Sequence, residues 1–393
     1  MEVAQSVRAA NVSGISLLQH HILLKNANGL DRGDLKPPAP TLTAQEGSKE
    51  ERGVSALDFP ASTFLSFCSA GQMVHVCVTG GSGFLASWLI KLLLERGYHV
   101  RATVRDPDDF TKTAHLFSLA HGRERLELFK ADLLDEGCFD TIVENCEGVF
   151  HTASPVNMVT INPEEELIKP AVKGTLNVLR ACAMSKSVRR VLLTSSMAAV
   201  VSSITNNQET PTVYESTWSD QSHWRAKRFW YGLSKLLAEE AALCFAKEKG
   251  IDLVTIVPGM IAGRCLQPNL DTASKLVMEI LTGKRSFLQN VAHAWVDVRD
   301  VAEAHILAFE TPLASGRYLC AREVMDSPTL LEILLKHYQL PKPVLQSFVD
   351  KPLPSAPVFK VSIRKLESLG INLKPIEDAI MESIECLIER GLL

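Results

Sequence analysis

The chain has 393 residues, with 41 Lys and Arg against 45 Asp and Glu and a formal net charge of −4. Hydrophobic residues make up 46% and charged residues 22%, which excludes a wholly disordered chain and offers no broad basic field for nucleic acid. No stretch reaches the ~18–20 apolar residues of a membrane span, since Lys91 interrupts the best candidate, Ser87 to Leu94.

Residues 1–72 lack Trp and Tyr, show no sustained periodicity and contain the polar run Lys25 to Pro40, so a flexible, disordered extension is predicted there. The first thirty residues carry one acid, Glu2, beside Arg8 and Lys25, a faint likeness to an organelle transit peptide. The alternative is an unstructured tail ahead of a natural start at Met73.

From Met73 the pattern changes. Val74–Val78 is a short apolar strand, Ser87–Arg96 has helical spacing and stops at Gly97, and Tyr98–Val104 is a second strand. Strands at Leu126–Lys130, Gly148–Thr152, Arg190–Thr194 and Asp252–Val257 follow. They alternate with helices around Cys138–Asn145, at Glu165–Met184 and at Tyr231–Glu248. Such alternation implies βαβ units and a doubly wound, parallel α/β sheet of the Rossmann type. After Pro258 the alternation loosens. Helices near Thr272–Leu281, Pro328–His337 and Ile376–Arg390, with a segment Val296–Leu307, predict a smaller, mostly helical C-terminal part that binds substrate. The expected division is therefore 1–72, a nucleotide-binding domain 73–260, and a substrate-binding part 261–393.

Gly80, Gly83 and Ala86 form Gly-x-x-Gly-x-x-Ala between the first strand and its helix. Gly80 allows a tight turn, Gly83 lets backbone approach a pyrophosphate, and a small Ala86 lets helix pack on strand. The helix start at Phe84 and Leu85 offers N–H groups and a positive dipole end to the phosphates. The second strand ends in Val104-Arg105-Asp106, with Lys112 beyond it. A cation there suits the 2′-phosphate of NADP, where a carboxylate would suit NAD. The bland reading is a surface Arg105 paired with Asp106. Asp132, followed by Leu133, could accept from an adenine amino group or cap a helix.

Tyr231 and Lys235 are four apart at the start of a long helix, hence on one face. A fixed cation near a phenol lowers its pKa from ~10 toward the range useful for proton transfer. Ser195 and Ser196 end a strand, where a hydroxyl can donate to a carbonyl oxygen gaining charge. Each pair alone could be structural. The nine cysteines (68, 77, 138, 146, 182, 244, 265, 320 and 386) form no Cys-x-x-Cys pair, and the eleven histidines form no His-x-x-x-His pair. Reduced thiols in a cytoplasmic setting are expected, and no metal.

The glycine loop, the serine pair and Tyr-x-x-x-Lys in this order resemble the extended short-chain dehydrogenase/reductases. Val76–Trp88, Glu95–Pro107, Gly148–Pro155 and Trp295–His305 resemble the plant reductases of phenylpropanoid metabolism. That group holds cinnamoyl-CoA reductases, dihydroflavonol 4-reductases, phenylacetaldehyde reductases and tetraketide pyrone reductases. The resemblance implies Ser196 as the catalytic hydroxyl, with Tyr231 as proton donor. Lys235 would lower the Tyr231 pKa and bind the nicotinamide ribose. Arg105 and Lys112 would grip the 2′-phosphate, Thr152, Ala153 and Ser154 would line the cofactor, and Pro258 would lie near the nicotinamide. It implies NADPH/NADP+ as cofactor, a small aromatic carbonyl as substrate, no nucleic-acid partner, and a monomer or homodimer.

Three motifs depart from the group. Phe229–Lys235 does not match the cinnamoyl-CoA reductase hallmark, Val201 stands where dihydroflavonol reductases carry Asn, and Gly263-Arg264 replaces Gly-Pro. Candidate pocket walls are Met197, Tyr214, His223, Trp224 and Met260, within Val200–Trp230 and Met260–Ala294. Alternatives are a dihydroflavonol 4-reductase-like ketone reductase, an NAD-dependent sugar epimerase or steroid-type dehydrogenase on the same scaffold, or a non-catalytic NADP sensor.

Overall fold

Strands and helices alternate from residue 75 onward, as the apolar pattern predicts. The computed structural model describes residues 73–156, 160–202, 210–285, 291–342, 344–345 and 358–393. The expected extension, 1–72, lies outside the described residues. The principal strands are β1 (His75–Thr79), β2 (His99–Val104), β3 (Leu126–Lys130), β4 (Gly148–His151), β5 (Arg190–Thr194), β6 (Leu253–Pro258), β7 (Met260–Ala262), β8 (His293–Asp297), β9 (Gly316–Cys320) and β10 (Glu323–Met325). The principal helices are α1 (Phe84–Glu95), α2 (Phe110–Phe117), α3 (Lys169–Met184), α4 (Gln221–Lys227), α5 (Trp230–Lys249), α6 (Thr272–Leu281), α7 (Val298–Glu310), α8 (Ser327–His337) and α9 (Ile376–Glu389).

Seven strands form one parallel sheet in the order β9-β6-β5-β4-β1-β2-β3. The order reverses between β1 and β4, so a crevice opens at their carboxyl ends, where ligands bind in such sheets. β5 and β6 are buried at every residue, which is why they read as continuous apolar runs rather than alternating ones. Leu89, Ile90 and Leu93 of α1 share a core with Val301 and Ala304 of α7 on one face. Val178 and Cys182 of α3 share a second core with Ala242 and Ala246 of α5. The sheet is thereby covered on both sides. Gly97 ends α1 as expected: at φ +91 it lets the Tyr98 N–H reach the Leu93 carbonyl, 3.0 Å away.

The division expected at residue 260 does not follow the sheet. β9, on its edge, and α7, packed on α1, both come from beyond that point. What stands apart is smaller: β10-β8-β7, with β8 parallel to β7 and antiparallel to β10, covered by α6, α8 and α9. The helix expected at Glu165–Met184 begins as a wider π-type turn, Glu164–Ile168, before α3. Pro170, near the start of α3, has no N–H to close an ordinary turn. The helix around Cys138–Asn145 shrinks to Asp140–Val143.

Candidate active site

The β1–α1 turn is built so that side chains cannot enter it. Gly80 has φ +72, and a Cβ there would lie 3.1 Å from the Cα of Ala153 on the β4 side of the crevice. A Cβ on Gly83 would meet the Gly80 carbonyl oxygen at 3.1 Å. Gly81, not singled out in the sequence, is the residue packed on β2: its Cβ would be 2.9 Å from Ala102 Cβ, and its N–H donates to the Thr103 carbonyl at 2.8 Å. No side chain caps α1 and no acid lies in its first turn, so the helix start at Phe84 and Leu85 stays compatible with an anion. This cradle fits a dinucleotide pyrophosphate.

Thr79 ties the two sides of the crevice together. Its hydroxyl accepts from the Ala153 N–H at 3.1 Å and lies 2.8 Å from His151 Nδ1, while its carbonyl accepts the Thr152 hydroxyl at 2.6 Å. Burial, reinforced by the Lys235 charge, pushes the His151 pKa down to about 3, so the imidazole is neutral. Ser154, half-buried, continues this segment.

Arg105 is exposed at the end of β2 and makes no ion pair among the described residues. Asp106 instead accepts the Asp108 N–H at 3.1 Å, so the bland pairing of Arg105 with Asp106 is not present. Lys112, on α2, is held by Asp109 at 2.5 Å. The exposed Asp132 accepts the Leu134 N–H at 2.9 Å and so closes a turn rather than capping a helix. Leu133 packs on Gly174, and its carbonyl accepts from Asn177 at 2.8 Å.

The two serines after β5 face different partners, because neighbouring residues of an extended chain point to opposite sides. The Ser195 hydroxyl is buried and donates to Glu239 at 2.6 Å. Ser196 has φ −159 and ψ 150, its Oγ accepts the Ala198 N–H at 3.2 Å, and its side chain acts on the neighbouring Tyr231 phenol. Lys235, one turn along α5, is buried, and its Nζ donates to the Thr194 carbonyl at 3.1 Å. The same threonine's hydroxyl lies 2.7 Å from His305 Nε2. Burial raises the Tyr231 pKa, and the Ser196 hydrogen bond opposes that rise. Lys235 Nζ turns to the strand end, and the influence that opposes burial at the phenol comes from Ser196. Burial brings Lys235 itself down to about 8, against the opposing charge of Glu239. Pro258 is buried at the end of β6.

Residues 76–321 match the NAD dependent epimerase/dehydratase family. The chain belongs to that family. Among its relatives, cinnamoyl-CoA reductase CAD2 of Medicago truncatula is 48% identical over 320 residues, covering 80% of this chain and 96% of the relative. Vestitone reductase from alfalfa has the same fold at TM-score 0.69 and 36% identity, over 81% of this chain and 99% of that one. Gre2 from Candida albicans, solved as an NADPH complex, matches at TM-score 0.67 and 27% identity, over 80% and 99%. The protein is thus an NAD(P)-dependent oxidoreductase of the extended short-chain type.

Beside Ser196, Tyr231 and Lys235 lies an aromatic ladder. The Trp224 and Phe229 rings are 5.0 Å apart, those of Phe229 and Tyr231 6.1 Å, and those of His223 and Trp224 5.4 Å. Trp224 Nε1 donates to the Ala198 carbonyl at 2.8 Å, pinning the turn that follows Ser196. Of the other expected walls, Met197 is buried in a small core with Val200 and Val257, Met260 packs beside α6, and Tyr214 is exposed. The expected wall spans include 203–209 and 286–290, outside the described residues. Arg264 supplies no free cation: its guanidinium pairs with Glu389 and its carbonyl accepts the Trp88 indole N–H at 2.8 Å. Thr79, His151, Glu239 and Arg317 were not anticipated, whereas Phe229 falls within the expected wall span Val200–Trp230. Only Glu239 carried a local signal, standing four residues beyond Lys235 on one helical face.

Proposed function

We propose that this protein is an NADPH-dependent reductase of an aromatic, phenylpropanoid-type carbonyl, of the cinnamoyl-CoA reductase kind. The observation that carries the reading is the gathering of Ser196, Tyr231 and the buried Lys235 at the end of β5, beside a glycine cradle that admits no side chain. NADPH, when bound, supplies the hydride that the carbonyl carbon accepts. Gly80, Gly83, Phe84 and Leu85 would hold its pyrophosphate. Arg105, with Lys112 beside it, would take the 2′-phosphate, and Asp132 and Leu133 would flank the adenine. Thr152, Ala153, Ser154 and Pro258 would line the rest, and Lys235 the ribose.

The chain's own residues handle the proton. A phenol raised by burial stays protonated at neutral pH and donates its hydrogen to the carbonyl oxygen as charge develops there. Ser196, with its single hydroxyl hydrogen, is placed to donate to the same oxygen. The Lys235 ammonium supports the negative charge of the phenolate left behind. Because its pKa is about 8, activity should fall on the alkaline side. Trp224 and Phe229 hold the Ser196 turn and keep water from the phenol. The aromatic ladder favours a planar substrate by stacking.

The thiols support a reducing compartment such as the cytoplasm, since those described are free and six of them are buried. The protein is expected to act as a monomer or homodimer. The decisive assay is NADPH oxidation with cinnamoyl-CoA thioesters and cinnamaldehyde. Tyr231→Phe should lower kcat roughly 10²–10⁴-fold. Wild-type turnover by that variant would refute this mechanism, whereas NADPH binding without turnover of any of these carbonyls by the wild-type protein would leave an NADP sensor in its place.

A further inference from the structure

One buried carboxylate close to the catalytic set plays no part in the chemistry just described. Glu239 stands one helical turn beyond Lys235 and two beyond Tyr231, on the same face of α5. It accepts the Ser195 hydroxyl at 2.6 Å and Arg317 Nε at 2.7 Å, with Arg317 Nη2 3.3 Å away. Both members of the ion pair are buried. Arg317, on β9, donates from Nη1 to the carbonyls of Glu215 and Thr217 at 2.7 and 2.8 Å, and its guanidinium lies 3.8 Å over the Trp218 ring. One carboxylate thus joins the strand end bearing Ser196, the helix bearing Tyr231 and Lys235, the edge strand, and the loop leading into α4. Desolvating such a pair costs about as much as the attraction returns, so stability alone does not account for it.

We propose that Glu239, locked by Arg317, is a positioning residue for carbonyl reduction: it fixes Ser196 through Ser195 and anchors the Lys235 ammonium by charge. The inference rests on the catalytic reading above. Lys235 is faced by Tyr231 and Glu239 from its own helix, by neutral His151 from β4, and by Arg317 from β9 through Glu239. Within this group Glu239 is the charge that opposes burial and keeps the lysine protonated.

The test compares the pH dependence of kcat for NADPH and cinnamaldehyde in Glu239→Gln, Ser195→Ala and Tyr231→Phe. Glu239→Gln should lower kcat roughly ten- to a hundredfold and move the alkaline limb about one unit toward lower pH, because the lysine loses the negative charge that favours its ammonium. Ser195→Ala, which keeps that charge, should lower kcat with the limb unmoved. A Glu239→Gln protein that loses thermal stability but keeps the wild-type kcat and limb would overturn the proposal, since a structural role predicts just that. Should Glu239→Gln fail to fold, Glu239→Asp keeps the charge and withdraws the carboxylate from Ser195. A kcat loss matching that of Ser195→Ala, with the limb unmoved, then supports the proposal, and wild-type kcat in both variants overturns it. Tyr231→Phe separates the two readings. If it abolishes turnover while Glu239→Gln behaves as wild type, only the positioning role fails. If it leaves turnover intact, the catalytic reading itself fails.

Discussion

Thr79 and His151 meet where the strand order reverses, the threonine hydroxyl 2.8 Å from the imidazole Nδ1. The hydroxyl also accepts from the Ala153 N–H, and the other ring nitrogen, Nε2, lies 3.2 Å from Thr175 Oγ1, so both imidazole nitrogens have a threonine partner. This buried hydroxyl thus ties the end of β1 to the end of β4. Thr79→Val leaves the shape and removes every one of these partners. It should cost about 1–3 kcal/mol of stability and raise the KM for NADPH, read by urea unfolding and by initial rates.

The cradle makes a sterner prediction. Gly80→Ala places a Cβ 3.1 Å from Ala153 and forces an L-residue to φ +72. The left-handed conformation alone costs about 1–2 kcal/mol, and any opening of the crevice to relieve the contact moves the phosphate site. A lowered melting temperature together with lost NADPH fluorescence enhancement is expected. Normal cofactor binding in this variant would mean that the loop does not hold the pyrophosphate.

Arg105 and Lys112 should not behave alike. The arginine makes no ion pair among the described residues, whereas the lysine is held by Asp109 at 2.5 Å. Arg105→Ala should weaken NADPH binding roughly ten- to a hundredfold and leave NADH binding unchanged, as expected for one charge-assisted contact to phosphate. Lys112→Ala should have a clearly smaller effect. Titration calorimetry with both cofactors distinguishes the two cations.

Two buried imidazoles predict an acid-labile fold. Burial lowers His151 to about 3 and His305 to about 4, from an ordinary value of 6.5. The unfolded chain therefore takes up these protons first. Their contribution to stability is complete above about pH 6.5 and is lost as pH falls toward the folded values, at ~1.4 kcal/mol per unit for each. His305→Gln removes one of the two groups and should flatten the fall of melting temperature between about pH 6.5 and 4. An unchanged slope would show that His305 is not held neutral.

Much of this was legible along the chain, and the reason is local. Parallel strands buried on both faces are continuous apolar runs, so β1, β5 and β6 stand out by themselves. The Gly80 turn and the pairing of Tyr231 with Lys235 follow from the stereochemistry of a few adjacent residues. The edge strand β9 was not legible, because Gly316–Cys320 is short, contains Arg317 and follows a segment that builds a different sheet.

The sequence by itself determined the doubly wound architecture, the glycine cradle and the spacing that sets Tyr231 and Lys235 on one helical face. The tertiary structure alone decided how those residues are used. Two adjacent serines are equivalent in a string of letters, yet the strand's pleat sends Ser195 to Glu239 and Ser196 to the phenol. Lys235 turns to Thr194, Lys112 is held by Asp109, and Glu239 meets an arginine 78 residues away. Such pairings depend on which strands lie side by side and which charges become buried together, and local periodicity carries no record of either.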